Sequence, residues 1–235
     1  MRALGCALLL AVAACNPAPS KPTKRVIGLS TSLPLIWAET GDIRGQLAGD
    51  APKHWAMAML AARGHVVALD TLAGPDGVLP LPSKGMLVLA QPRPLMPEEN
   101  VALDVWVRGG GRLLLFADPM LTAHSDFALG DPRGPQRVAM LSPILRHWGL
   151  ELQFEPAQPA GEHDVDMAGV ALRVDLAGRF VASPAARCRL AAGGIIAECR
   201  LGKGRVIAVA DAAVFDGDDA GRSAALASLL DRLLR

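Results

Sequence analysis

Short apolar runs without charged interruption recur through the first half of the chain. They lie at Val26–Leu29, Val66–Leu69, Met86–Ala90 and Leu113–Ala117. Runs of strand length that are apolar on both faces are typical of strands buried on both sides of a parallel sheet. The pattern therefore predicts a mainly parallel sheet with helices on each face.

Helical patterns separate these predicted strands. One helix is expected at Pro52–Arg63, and another begins at Pro97 and ends at the Gly-rich turn 109–111. The buried face of the second helix is predicted to carry Val101, Ala102, Val105 and Trp106. The order strand, helix, strand favours right-handed crossovers and an α/β fold, for which we expect a flavodoxin-like three-layer sandwich.

The second half of the chain is richer in strands. Helices are expected at Ser142–Trp148 and at Ala220–Leu234, where leucines form the apolar face. The predicted strands are Leu150–Phe154, Val170–Leu176, Phe180–Ala182, Cys188–Ala192, Ile195–Arg200 and Val206–Ala210. No internal repeat or second boundary is evident, so residues 25–235 are expected to form one α/β domain.

Two of these strands flank Gly193-Gly194 and predict a C-terminal β-hairpin with a two-residue loop. Counting outward from that loop pairs Ala192 with Ile195 and Cys188 with Cys199. Directly paired strand residues are close enough for a disulfide, which is expected in an oxidising compartment. Two free thiols are the alternative.

The first residues of the chain have the layout of a secretory signal. One positive charge, Arg2, precedes an apolar stretch that is too short to span a bilayer. Val12-Ala13-Ala14-Cys15 resembles the bacterial lipobox, which implies a signal peptide at 1–14 and lipidation of Cys15. Ordinary secretory cleavage or an uncleaved anchor remain alternatives.

Residues 15–24 follow this motif as a Pro-rich stretch that is typical of an extended tether. The lipobox resemblance implies attachment to a membrane through the lipid, with the domain facing the periplasm. Asn16 stands where inner-membrane lipoproteins typically carry Asp, so the outer membrane is favoured over the inner one.

Charge argues against a nucleic-acid partner. The chain carries 24 Lys and Arg against 23 Asp and Glu, and the predicted signal removes only Arg2. The mature protein is then near neutral, without the net positive charge typical of nucleic-acid binding. No motif indicates a cofactor.

Several segments resemble one known family. They are Leu87–Leu95, Leu103–Gly111, Arg112–Pro119 and Gly202–Asp211. Together they look like the auxiliary domain of GldG-type ABC transport systems, whose fold is similar to class I glutamine amidotransferases. The resemblance implies an extracytoplasmic partner of the permease and ATP-binding components of an ABC transporter.

An amidotransferase would need a Cys on a strained strand-to-helix elbow, activated by a His. The elbow-like strand end is expected at Phe116-Ala117-Asp118-Pro119, which has neither Cys nor Ser. Cys188 and Cys199 are expected in the hairpin, away from this position. Amidotransferase chemistry is therefore not expected.

Polar residues follow several predicted strands at what should be one edge of the sheet. They are Ser30, Thr31, Ser32, Gln91, Asp118 and Asp211, with Trp37 and Glu39 as further candidates beside them. Ligands of parallel α/β sheets bind beyond the carboxyl ends of the strands, so these residues are candidates for binding a ligand or partner. The same residue types also cap turns and helices, and capping remains open.

Two acidic segments were considered as metal sites. One holds Asp211, Asp216, Asp218 and Asp219, and the other holds His163, Asp164 and Asp166. Neither has the ligand spacing of a calcium loop or a zinc site, so both are expected to be solvated loops. His54, His65, His124 and His147 are expected in packing or surface roles.

Three functions follow from these observations. The leading interpretation is a non-catalytic, lipid-anchored accessory or binding component of an ABC-type transport system. The alternatives are an envelope hydrolase in which Asp118 or Asp211 activates a water, and a structural envelope lipoprotein.

Overall fold

The structure is a computed structural model that describes residues 25–39, 53–217 and 220–235. Its strands are β1 (Val26–Thr31), β2 (His65–Ala68), β3 (Met86–Ala90), β4 (Arg112–Phe116), β5 (Leu150–Gln153), β6 (His163–Asp166), β7 (Ala171–Val174), β8 (Arg179–Ala182), β9 (Cys188–Ala191), β10 (Ile196–Leu201) and β11 (Gly204–Val209). Its α-helices are α1 (Trp55–Arg63), α2 (Pro97–Arg108), α3 (Ser142–His147) and α4 (Ala220–Leu234).

Seven of these strands form one sheet in the order β2-β1-β3-β4-β11-β10-β9. The first five run parallel, and β10 and β9 are antiparallel additions at one side. The predicted mainly parallel sheet with a C-terminal hairpin is confirmed. The ends of the five parallel strands define the carboxyl edge of the sheet, and their starts define its amino edge.

Helices cover both faces of this sheet. On one face, α1 and α4 contribute Leu60 and Leu230 to a core that also contains Val88 of β3. On the other face, α2 and α3 contribute Leu103 and Leu145 to a second core. Successive residues of β3 alternate between the two cores, which explains why its sequence has no polar position.

The apolar face of α2 differs from the predicted one. Ala102 and Trp106 are buried as expected, but Val101 and Val105 are exposed. Leu103 and Val107 take their place in the core. The buried face of α2 is therefore rotated from the predicted one, toward the side on which the last turn of the helix contacts β11.

That contact requires glycine at two positions. A Cβ on Gly111 would lie 2.4 Å from the Trp106 ring, and a Cβ on Gly204 would lie 1.8 Å from the carbonyl oxygen of Val107. Only residues without side chains allow the end of α2 to approach the sheet this closely.

Strand β6 was not predicted. His163–Asp166 was expected to be a solvated loop, but it pairs antiparallel with β7 in a small separate sheet. Its carboxylate Asp164 lies 2.6 Å from the Arg173 Nε of the opposite strand. Because Val165 is its only apolar residue, the segment carries too little of the alternating pattern that marks a strand.

The predicted pairing of the two hairpin strands is confirmed, but the predicted two-residue loop is wrong. Cys188 pairs directly with Cys199, but the last pair before the turn is Ala191 with Ile196. Ala192 and Ile195 therefore belong to a four-residue turn, in which Ala192 adopts a left-handed φ of 49°. Counting outward symmetrically from Gly193-Gly194 pairs Cys188 with Cys199 whether or not Ala192 and Ile195 pair with each other.

A disulfide joins Cys188 to Cys199, with their Cα atoms 4.0 Å apart. Cys199 also pairs with Val206 near the start of β11, so the disulfide lies toward the amino edge. Cys15, the predicted signal and the predicted tether lie outside the described residues. Among the described helices, none has the length and apolar character needed to cross a membrane.

Reduction of this disulfide is expected to lower the free energy of unfolding by about 3 kcal/mol, because it releases a short closed loop in the unfolded chain. Urea unfolding with and without reductant measures the difference. The double variant Cys188→Ala/Cys199→Ala is the control and should not respond to reductant. Recovery of both residues as free thiols from oxidised protein would contradict the disulfide.

Candidate functional site

Gln91 occupies the strained position at the carboxyl edge. It follows β3 directly and has a left-handed φ of 46°, which is uncommon for a residue with a side chain. Its Nε2 donates to the carbonyl oxygens of Asp118 at 2.9 Å and Gln136 at 2.8 Å. Its Oε1 accepts from the Asp118 backbone N–H at 2.8 Å. The buried amide is thus fully committed to the backbone.

The expected position of the elbow was therefore wrong. Phe116-Ala117-Asp118-Pro119 was predicted to be elbow-like, but the left-handed residue after a parallel strand is Gln91, one strand earlier. The primary amide of Gln91 is not among the side-chain groups that act as nucleophiles in enzymes. Both described cysteines are joined in the disulfide near the other edge.

Asp118 connects the end of β4 to the end of β11. Its Oδ1 accepts from the Met120 backbone N–H at 2.8 Å, and its Oδ2 accepts from the Ala212 backbone N–H at 3.2 Å. The side chain is almost completely buried. The carboxylate therefore caps two chain segments that are distant in sequence.

Asp211 performs the same role from the end of β11, one residue before Ala212. Its Oδ1 accepts from the Ala213 N–H at 2.7 Å, and its Oδ2 accepts from the Asp175 N–H at 2.9 Å. Asp211 is also buried. The second bond ties the small sheet of β6 and β7 to the main sheet.

Burial shifts the protonation of both carboxyls. Desolvation raises the pKa of Asp118 from 3.8 to about 7, against the lowering effect of its two backbone donors. Desolvation, followed by the charge of Asp118, raises the pKa of Asp211 to about 8. Burial likewise raises the pKa of Asp216 to about 6. Burial therefore favours the protonated form of these carboxyls.

The predicted hydroxyl residues also join the edge together. Thr31 Oγ1 donates to the Ala90 carbonyl oxygen at 2.7 Å, and Ser32 Oγ donates to the Gln91 carbonyl oxygen at 2.5 Å. Ser32 Oγ additionally accepts from the Gln136 N–H at 2.8 Å. Capping thus accounts for Thr31, Ser32, Gln91, Asp118 and Asp211, and a binding role for them stays a prediction.

An open crevice lies beside this network at the ends of β1, β2 and β3. It consists of two adjoining clefts with volumes of about 740 and 610 Å³. Both clefts are lined by Thr31, Leu69, Asp70 and Arg93, and Ser30 lines the larger one. Gln91, Asp118 and Asp211 line neither.

Asp70 and Arg93 were missed by the sequence analysis. Both are exposed in the crevice, and within the described ranges neither forms an ion pair. Each follows a predicted strand by one to three positions, so the strand-end argument that selected Gln91 applies to them as well. They offer opposite charges to a ligand in the same cleft.

Trp37 and Glu39, the two further candidates, border the smaller cleft. Trp37 is 74% exposed and presents an apolar ring. The carboxylate of Glu39 accepts from Ser125 Oγ at 2.9 Å and from the Asp126 N–H at 2.7 Å, which holds the opposite loop. The crevice therefore combines a cation, an anion and a ring.

The described ranges contain no group of three or more His, Cys, Asp or Glu side chains arranged to hold a metal ion. Asp218 and Asp219, considered in the sequence analysis, lie outside those ranges. His54 instead caps α1, since its Nδ1 accepts from the Ala56 N–H at 3.2 Å.

Comparison with family models and with curated proteins finds no match for this chain. Similar solved structures include an exo-β-1,4-mannosidase from an Opitutaceae bacterium, at 17% identity and a TM-score of 0.48, covering 90% of this chain and 34% of that one. A β-galactosidase from Bacillus circulans sp. alkalophilus has 12% identity and a TM-score of 0.45, covering 89% and 31%. A ThuA-like protein from Bacteroides uniformis has 10% identity and a TM-score of 0.44, covering 95% and 94%. The chain spans about a third of the length of the two glycosidases.

The buried carboxyls predict a pH-dependent stability. Because the folded-state pKa of Asp118 lies above its unfolded value, the folded chain binds more protons between about pH 4 and about pH 7, and stability falls as pH rises through this range. Asp118→Asn should flatten this slope in thermal unfolding. The exposed substitution Asp126→Asn is the control and should retain the slope of the unmodified chain. Equal slopes in all three proteins would contradict the burial of this charge.

Proposed function

We propose that this chain is a non-catalytic, lipid-anchored binding component that works beside an ABC-type transporter on the periplasmic side of a membrane. The observation that carries the proposal is the hydrogen bonding of the Gln91 side chain. The strained strand-end position that would hold a nucleophile carries an amide whose hydrogen-bonding groups all bind the backbone. Recognition groups remain available in the crevice.

The hydrolase alternative is less well supported. A carboxylate that activates water must contact that water, so it needs access to solvent. Asp118 and Asp211 are each 1% exposed, and both oxygens of each accept from backbone N–H groups. Burial raises their pKa values. Because burial is common to structural caps and catalytic acids, these raised pKa values do not favour catalysis.

We infer that the fold is flavodoxin-like and similar to class I glutamine amidotransferases. The parallel strands follow the order 2-1-3-4-5 when numbered along the chain, with helices on both faces. In such sheets a ligand crevice lies where the strand order reverses, between β1 and β3. The crevice with Asp70 and Arg93 is at this position.

The lining favours a peptide segment of a transporter component as the ligand. Arg93 suits a carboxylate, Asp70 suits an ammonium or guanidinium group, and Trp37 suits an apolar side chain. A peptide supplies all three within a short length.

The proposed anchor is tested at Cys15. Cys15→Ser removes the sulfur that would carry the lipid, so the protein should move from the membrane fraction to the soluble fraction or accumulate unprocessed. Cys188→Ala/Cys199→Ala, which removes two cysteines far from the proposed lipidation site, is the control and should stay with the membrane. Unchanged detergent-phase partitioning of Cys15→Ser would overturn the anchor.

The proposed binding surface is tested in the crevice. Trp37→Ala combined with Arg93→Gln should weaken co-purification of the transporter components by about tenfold or more, because buried Trp and Arg contacts dominate interface energies. Thermal stability should hardly change, since both side chains are exposed. The control combines the exposed substitutions Leu129→Ala and Arg179→Gln. Full capture by the crevice variant would refute this surface.

A further inference from the structure

Basic side chains cluster at the amino edge, opposite the crevice. They line two adjoining clefts and define the basic face: Arg112, Arg187, Arg189, Arg200, Lys203, Arg205, Arg232 and Arg235. The acidic residue in this lining is Glu198. Its carboxylate accepts from Arg189 at 2.9 Å and from Arg232, so it is already paired.

The sheet register brings three of these arginines side by side. Arg205 pairs directly with Arg112 on one side and with Arg200 on the other. Directly opposite residues of neighbouring strands place their side chains on the same face, and like charges in this arrangement destabilise a sheet. Stability alone does not favour such a row, which suits a surface that binds anions.

Several members of the basic face have no acidic partner. Arg187, Arg200 and Lys203 are exposed, and in the described part of the chain none of them forms an ion pair. Arg205 donates to the carbonyl oxygen of Arg232 at 3.0 Å, which leaves its charge uncompensated. These cations are available to an external anion.

The near-zero net charge therefore hides a local excess of positive charge at the amino edge. The basic face carries eight Lys and Arg side chains against one acidic residue in its lining, Glu198. The near-neutral total charge predicted no nucleic-acid partner. The distribution of charge determines the local field, and it favours an anionic partner at this face.

The proposed tether enters the domain at this same amino edge. Arg25 is exposed and precedes the first residue of β1. Residues 15–24 connect it to Cys15, and a stretch of that length spans at most about 35 Å. A lipid on Cys15 would hold the amino edge closer to the membrane than the carboxyl edge.

We propose that the basic face docks on anionic lipid headgroups of the membrane to which the chain is tethered. This inference rests on the proposed lipid anchor for its biological setting. Docking would direct the carboxyl edge and the crevice away from the lipid, where a partner can reach them. Nucleic acid is the less favoured anion, because the lining of the basic face contains no aromatic side chain on which a base could stack.

The test uses the full chain with Cys15→Ser, so that no acyl chain contributes, and measures co-sedimentation with vesicles. Vesicles of phosphatidylcholine with phosphatidylglycerol should bind this protein, and binding should fall steeply as salt is raised. Binding to vesicles of phosphatidylcholine alone measures how much the apolar residues 1–14 contribute to membrane binding without anionic headgroups. Arg200→Gln/Lys203→Gln should lower the partition coefficient on anionic vesicles by about tenfold or more.

The matched control is Lys53→Gln/Arg179→Gln, which removes the same charge from exposed residues outside the basic face and should bind as the parent does. Equal loss in both double variants would overturn the basic face as the docking surface. Binding to duplex DNA without binding to anionic vesicles would also overturn it. The protein in this assay carries no Cys15 and therefore no acyl chain. Absence of binding to anionic vesicles would thus count against the basic face and not against the proposed lipid anchor.

Discussion

Buried polar groups at the carboxyl edge of the sheet must all find hydrogen-bond partners, and the fold depends on how they do so. Desolvating a carboxylate or an amide without a partner costs more than most single contacts return. Here Gln91, Asp118 and Asp211 accept from or donate to the backbone of loops that are far apart in sequence. The parallel strands, the loop after β4 and the small sheet of β6 and β7 are joined through these three side chains.

This constraint gives the two edges of the sheet different chemistry. The strained backbone at Gln91 is retained because its side chain binds the loop after β4, so the position that could carry a nucleophile serves as a structural anchor. The exposed crevice beside it is lined by Asp70 and Arg93, whose charged groups form no ion pair among the described residues. The opposite edge collects the basic residues, where parallel strand starts place Arg112 and Arg205 next to each other. A near-neutral chain thus presents two chemically different ends.

The sequence predicted the sheet well because each buried strand is an unbroken apolar run, and it predicted Cys188 opposite Cys199 because symmetric counting does not depend on turn length. It failed for β6, whose one apolar residue gives no alternation. The strand-end rule located Gln91, Asp118 and Asp211 at the right edge, yet their burial and hydrogen bonds depend on loops whose course no local pattern specifies. The same rule applies to Asp70 and Arg93, but only the structure shows that these two side chains line one crevice.

Backbone hydrogen exchange tests the central claim most directly. If side chains of Gln91, Asp118 and Asp211 hold the carboxyl edge, the backbone N–H groups of Asp118, Ala212 and Ala213 should exchange only through large-scale unfolding, at rates near those of the amides within β4. Nuclear magnetic resonance at several denaturant concentrations measures these rates residue by residue. Rates as fast as that of an exposed loop amide such as Leu129 would contradict the network and return the two carboxylates to consideration as accessible functional groups.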